Sequence, residues 1–405
     1  MEVLQKTFGL DGPCETVHFQ KTRLVFHKAE DDIFIAMTLF VPSLERKKDD
    51  RLITEYYDDS INDRLMMPIL KLSHRYFMLL HGTISVYLLS GALEELKIVL
   101  KNHFDRFIET RLLSAIQNAT IDSSYYGIPF LPVERKMYLR VQSLLRRLEL
   151  EFCSLNEAMF LYKDQLLWSG LEQDDTNIVY AFFRLYHWSY LKNTPLNSSP
   201  QFLIANANDI SPNETIITNT PPPSNSQKLY LGNPPVSHRV IILHLNYITI
   251  YFFLNDDQDS DDNNQQSNIA LQLVDMLQKE LDDISLGLEE YARKKYPQSS
   301  TGDANVRTIY FNKMNMAHSS TVDWTKEPIS NMAGIVNTLA EDMQWFHSTA
   351  ELMVKRENDP WVIAKRSDLR ELLMIVNQKN ANLKEINDKV KQICATHFSN
   401  IFLIE

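Results

Sequence analysis

Sixteen consecutive residues in the middle of the chain, Arg239–Leu254 (RVIILHLNYITIYFFL), constrain its fold more than any other stretch. They form two apolar runs that meet at Asn246, each of strand length and short for a helix. Successive side chains on a strand point to opposite faces of the sheet, so a run that is apolar throughout must be covered on both sides. The pair is therefore expected at the buried centre of a sheet, and the fold class is α/β, in the α+β sense.

The rest of the chain alternates short strands with amphipathic helices. Arg23–Ala29 and Ile33–Val41 read as two strands joined by a polar turn, with Pro42 and the charged stretch Glu45–Arg51 ending the second. Apolar positions at spacings of three and four predict helices from Ser60 to Gly82 and from Leu93 to Leu112, and another helix is expected over Glu134–Phe152. AMFLY, Lys163-Asp164 and QLLWS predict a tight hairpin over Ala158–Ser169, followed by a helix through LEQDDTNIVYAFFRLYHW. Residues 192–228, rich in Asn, Ser, Thr and Pro, are expected to be a disordered, exposed insertion. Beyond the central strands, the acidic loop Asn255–Asn268 leads to a helix over Ile269–Tyr296. The last part predicts a strand at Thr308–Met316, a helical stretch at Met332–Lys355, strands at Trp361–Lys365 and Leu372–Asn377, and a helix at Leu383–Cys394. These elements divide the chain into 1–153, 154–297 and 298–405.

With 405 residues and 44% hydrophobic content the chain can bury several cores. Its net charge of −11 repels nucleic acid and anionic lipid, so no nucleic-acid partner is expected, and contact with a membrane requires a local basic patch or a partner. Cys14, Cys153 and Cys394 lie far apart, which suggests neither a disulfide framework nor a zinc site and fits a reducing compartment. The start lacks the pattern of a secretory signal. The greasiest region, Met66–Leu93, is interrupted by Lys71, His74, Arg75 and His81, which suits a packed helix rather than a membrane span.

The sequence carries no recognisable catalytic or ligand-binding motif. Only ten glycines occur, and no phosphate-cradling glycine motif is present, so no cofactor is expected. The segment NDDQDSDDNNQQ lacks the glycine and glutamate of a calcium loop and reads as a solvated turn. His74 and His81 lie seven apart on one helix without a third ligand, so no metal is assigned. Asp174 and Asp175 suit the first turn of a helix, where carboxylates face the positive end of its dipole. Trp168 is expected as a core anchor. No residue is assigned a catalytic role, and the chain is expected to act by binding other proteins.

Four stretches carry a family resemblance: FLYKDQLLWSGLEQDD (Phe160–Asp175), MYLRVQSLLRRLE before it, TIYFNKMNMAHSSTV (Thr308–Val322) and the run from WVIAKRSDLRELLMIV to the end. They resemble the vacuolar fusion protein CCZ (calcium-caffeine-zinc sensitivity) family. The resemblance implies three longin modules, each a small antiparallel sheet flanked by helices, with the first truncated at its N-terminus. It implies a heterodimer with the MON (monensin sensitivity) longin subunit, acting as a guanine nucleotide exchange factor for the late-endosomal Rab GTPase. It also implies peripheral attachment to late-endosome and lysosome or vacuole membranes through phosphoinositide, and it allows a third accessory subunit. In such a family the exchange surface is built from the first longin domains of both subunits.

Two sets of residues are singled out on this basis. Leu24, Phe26, Phe34 and Ile35 are candidates for partner contact, although alternate strand positions point inward and at least half of the four are expected in the core. Lys365, Arg366 and Arg370 form a basic cluster between two strands, either a solvated turn or a patch for anionic lipid or an acidic partner. The alternative to exchange is a longin-type trafficking or tethering scaffold. A metal-dependent hydrolase would need a ligand set the chain lacks.

Overall fold

The computed structural model describes residues 15–48, 51–56, 63–109, 127–131, 133–192, 199–205, 215–221, 228–255, 263–295, 305–322, 332–346, 348–357, 359–378 and 380–398. The chain divides into two compact units, Met1–Ala119 and Thr120–Glu405.

The first unit is built on an antiparallel sheet of β1 (Thr16–His18), β2 (Thr22–Glu30) and β3 (Ile33–Phe40), in that order. The tight turn between β2 and β3 places Asp32 at φ 63°, a conformation that Asp tolerates better than most residues. The charged stretch expected to be a loop is instead a second hairpin, β4 (Ser43–Lys48) paired with β5 (Arg51–Tyr56). Its sequence, SLERKK, has no apolar alternation because β4 is exposed throughout its described length, so the usual signal of a half-buried strand is missing.

Helix α1 (Asp63–His81) packs on β2 and stops at Gly82, whose φ of 78° suits glycine. Two further helices follow, α2 (Ile84–Ser90) and α3 (Leu93–Phe107); the first of them was not foreseen. Phe77, Ile84 and Leu96 bring all three helices into one apolar cluster.

The second unit holds two sheets. The seven-stranded one contains β7 (Leu155–Tyr162), β8 (Gln165–Ser169), β9 (Gln201–Ala205), β10 (Thr215–Thr218), β11 (Lys228–Leu231), β12 (Val236–Leu245) and β13 (Ile248–Asn255), with β10-β9-β12-β13-β7-β8 in order and β11 alongside β12. The central pair is as expected: Asn246 turns the chain at φ 54°, and β13 is buried from Ile248 to Leu254. One face carries α4 (Arg135–Glu151) and α6 (Asn263–Lys295), whose Leu145, Leu148, Leu277 and Ile284 pack with Phe160, Trp168 and Ile250. The other face carries α5 (Gln173–Phe182) and the π-helical turns Phe183–Trp188 that continue it, with Phe183 and His187 against Tyr251.

Two expectations are corrected here. Helix α4, assigned to 1–153 as a connecting helix, packs on the seven-stranded sheet, because its buried stripe Val141, Leu144, Leu145 and Leu148 fits that core. The segment 192–228 is not simply an exposed insertion: β9 and β10 lie within it, Leu203 pairs with Ile242, and Phe202 and Leu203 are buried. Short apolar runs were diluted there by polar neighbours. The rest of that segment, at 193–198, 206–214 and 222–227, lies outside the described residues, as does the acidic stretch 256–262, and α6 begins earlier than predicted.

The second sheet of this unit has the order β16-β17-β18-β14-β15-β6. Its strands are β6 (Ile128–Pro129), β14 (Val306–Asn312), β15 (Ala317–Ser320), β16 (Thr349–Lys355), β17 (Trp361–Ser367) and β18 (Arg370–Val376). Helix α7 (Ala333–Asp342) covers one face and α8 (Leu383–His397) the other. The helix expected over Met332–Lys355 stops at Asp342, a 3₁₀ turn follows at Met343–Trp345, and Thr349–Lys355 is a strand. TAELMVK is rich in helix formers, but pairing with β17 along its whole length overrides that preference. Helix α8 opens with a capping box, Asn382 and Glu385 each accepting from the other's backbone N–H.

Candidate partner-binding face

The two faces of the three-stranded sheet in the first unit differ. Strand β3 alternates, with Phe34, Ala36, Thr38 and Phe40 exposed and Ile33, Ile35, Met37 and Leu39 turned toward the covered side. Register places Leu24 opposite Thr38 and Phe26 opposite Ala36, so these four residues share the open face with Phe34 and Phe40. Phe34 is 51% exposed and Phe40 80%. Ile35 pairs with His27 and belongs to the other face. Three of the four residues proposed from sequence therefore come together, and the fourth does not. Phe40 was missed, because a strand reading IFIAMTLF is apolar at both parities and only the register assigns a face.

The covered side of this unit holds Glu30 and a group of histidines. Glu30, at the end of β2, accepts from the backbone N–H of Ile84 at 2.7 Å and of Ser85 at 2.9 Å, and from the Ser85 hydroxyl, at the start of α2. Burial pushes its carboxyl up, but the Ser85 and Ile84 hydrogen bonds and nearby His74 outweigh that and hold it below the usual range. His74 Nε2 lies 3.7 Å from Glu30 Oε1, yet burial keeps the imidazole's pKa lowered against the pull of Glu30. The pair is thus a carboxylate facing a neutral ring at neutral pH. His27 lies tilted against His74, with ring centroids 5.5 Å apart, and burial, with His74 and Lys71, pushes it down to about 4. His81 and His103 meet edge to face, and burial also pushes each to about 4. His74 and His81 thus serve the packing of α1, and among the described residues no group of three or more His, Cys, Asp or Glu is placed to hold a metal ion.

The other residues singled out from sequence fall as follows. Trp168 is buried in the core of the seven-stranded sheet, with the Arg146 guanidinium 5.5 Å from its ring centroid. Asp174 and Asp175 lie in the first turn of α5, and Asp175 accepts from the Gly232 N–H at 3.1 Å. Lys365 and Arg366 lie within β17 and Arg370 opens β18, so the basic cluster is not a turn between strands. Lys365 is 17% exposed and pairs with Glu351 at 3.1 Å. Arg366 is 10% exposed, donates to the Met343 and Asp368 carbonyls, and sits 3.9 Å from the buried Glu371, which also holds Lys313 at 2.7 Å. These charges are engaged internally. No helix among the described residues is long and apolar enough to cross a membrane.

Comparison with known proteins agrees with this architecture. Models of Intu longin-like domain 2 and Intu longin-like domain 3 match residues 155–282 and 302–393, which cover most of the two sheets of the second unit. A protein of Xenopus laevis named vacuolar fusion protein CCZ1 homolog is 30% identical over 437 residues, spanning 99% of this chain and 87% of its own length. The chain belongs to the CCZ1 family. Family members of the same name in Nematostella vectensis and Dictyostelium discoideum are 28% and 27% identical, over 99% and 98% of this chain. The fold is longin-like, with mixed helices and antiparallel sheets, as the resemblance implied.

Proposed function

We propose that this chain is the non-catalytic subunit of a heterodimeric guanine nucleotide exchange factor, paired with a MON-family longin subunit and acting on the late-endosomal Rab GTPase. The reading is carried by the match to proteins named for vacuolar fusion along 99% of the chain. The open face of the first unit supports it, since Leu24, Phe26, Phe34 and Phe40 offer a partner an apolar surface, with Lys28 beside Phe34 at its edge. Exchange of this kind is differential binding. The complex holds the nucleotide-free GTPase better than the loaded one and so promotes release, without bond making by side chains. Attachment to membrane is peripheral, through phosphoinositide, and its basic contact lies elsewhere than Lys365 and Arg366, whose charges are committed to Glu351 and Glu371.

The test is release of a fluorescent guanine nucleotide from the Rab by the co-purified heterodimer, with Phe34→Asp/Phe40→Asp as the paired variant. Stimulated release by the wild-type complex, and loss of MON pairing or of release in the variant, is the expected result. An assembled complex that leaves release at its spontaneous rate sinks the exchange reading. That outcome would favour the scaffold reading, which the matches to Intu longin-like domains also support.

A further inference from the structure

The two sheets of the second unit are joined by five residues, Gly127–Leu131. Ile128 donates its N–H to the Met316 carbonyl at 2.7 Å, and Ile128–Pro129 pairs in parallel with Ala317–His318 of β15. One residue further on the chain has reached the other sheet: Phe130 bridges in parallel to Leu166 of β8, and Leu131 donates its N–H to the Leu166 carbonyl at 2.8 Å. Ile128 is 1% exposed and Leu131 6%, and Leu131 is part of the core that holds Leu144 and Phe160. Each end of the segment is thus anchored in a different sheet by a hydrogen bond and a buried side chain.

Gly127 is what lets the segment enter. A Cβ there would overlap His318 Cβ on β15 and crowd Phe311 Cδ2 on β14 at 3.1 Å. A Cβ atom cannot swing aside as the tip of a long side chain can, and relief would require moving β15 itself.

We propose that Gly127–Leu131 is a strap that locks the two sheets into one rigid body, and that undoing it leaves each sheet folded but free to move against the other. Each sheet has its own apolar core and its own covering helices, which is why the strap governs orientation rather than folding. The strap lies just past the division between the compact units, so the stretch of chain that leads out of the first unit also sets the geometry of the other two modules.

The experiment uses the full chain with Gly127→Val, and Gly127→Ala alongside to carry the test if the valine variant does not fold. Spin labels are placed at Leu286→Cys on α6 and Leu383→Cys on α8, both sites exposed, with Cys14 and Cys153 replaced by serine. The parent should give one narrow inter-label distance. The variant should broaden it, with amide exchange at Ile128 and Leu131 rising at least about tenfold while Ile250 and Leu373 keep their protection. A distance that stays narrow after the Ile128 and Leu131 amides have lost protection overturns the proposal. Unchanged protection at those amides in both variants overturns it too, since the glycine would then not be required.

Discussion

Removing the Glu30 carboxylate should loosen the first unit alone. Glu30→Ala strips the acceptor from two backbone N–H groups and one hydroxyl at the start of α2. Hydrogen bonds to a charged partner contribute about 1.5 to 3 kcal/mol each, and water can replace part of this at a helix end that is not fully sealed. The expected loss is therefore about 2 to 4 kcal/mol. For a unit of roughly 100 residues, with a urea slope of about 1 to 2 kcal/mol/M, the midpoint falls by roughly 2 M. All five tryptophans, Trp168, Trp188, Trp324, Trp345 and Trp361, belong to the second unit, so their fluorescence is blind to this change whereas far-UV circular dichroism sees it. The variant should split the two signals, with an early loss of ellipticity and an unmoved fluorescence transition. Because the folded Glu30 pKa is lowered from 4.5, the wild-type advantage is present above that pH and is lost as pH falls through the lower folded value. An ellipticity midpoint within about 0.5 M of wild type, on the slope above, or a fluorescence transition that moves equally, would refute the assignment of Glu30 as the tie between β2 and α2.

Acidification should act on the second unit through His187 and His244, which burial pushes down to about 3 and about 4. The unfolded chain protonates first, so stability is complete above 6.5 and falls with pH toward those values, by up to about 1.4 kcal/mol per pH unit for each ring. A tryptophan-monitored urea midpoint that is flat between pH 7 and 5 would contradict this. Phe34→Ser and Phe40→Ser should each change stability by less than about 0.5 kcal/mol, against about 3 to 5 for the buried Phe160→Ala, the first two read by circular dichroism melts and the third by tryptophan fluorescence. Arg366→Ala should cost about 1.5 to 3 kcal/mol, since the Met343 and Asp368 carbonyls lose a charged donor while Glu371 keeps Lys313, and should leave binding to phosphoinositide vesicles unchanged in cosedimentation.

The strands that sequence revealed are those whose burial is written into every residue. Arg239–Leu254 and the hairpin at Lys163 stand out because both are apolar runs broken by a residue that accepts positive φ, at 54° for Asn246 and 55° for Lys163. Helices α1 and α3 were legible from three-and-four spacing, and α4 and α8 were expected where they lie, though the capping box of α8 went unread. What sequence hid are strands whose character comes from neighbours. β4 is exposed, β9 and β10 sit among polar residues, and β16 is made of helix formers held flat by β17. The candidate face was half legible for a related reason. Strand alternation puts Phe34 and Ile35 on opposite sides, but only pairing with Lys28 and His27, and the packing that follows, shows which side is open.

Strand β3 is greasy on both sides, so hydrophobicity alone gives little preference between burying Ile33, Ile35, Met37 and Leu39 and burying Phe34, Ala36, Thr38 and Phe40. The choice falls to the turn. The irregularity between Lys28 and Glu30 and the left-handed Asp32 fix where the return strand begins, and with it which row of side chains is offered outward. Two small residues at a hairpin tip, Asp31 and Asp32, thereby act as the selector of the surface a partner would meet. A single insertion or deletion there would exchange the outward row for the core row while leaving the composition of both nearly as apolar as before.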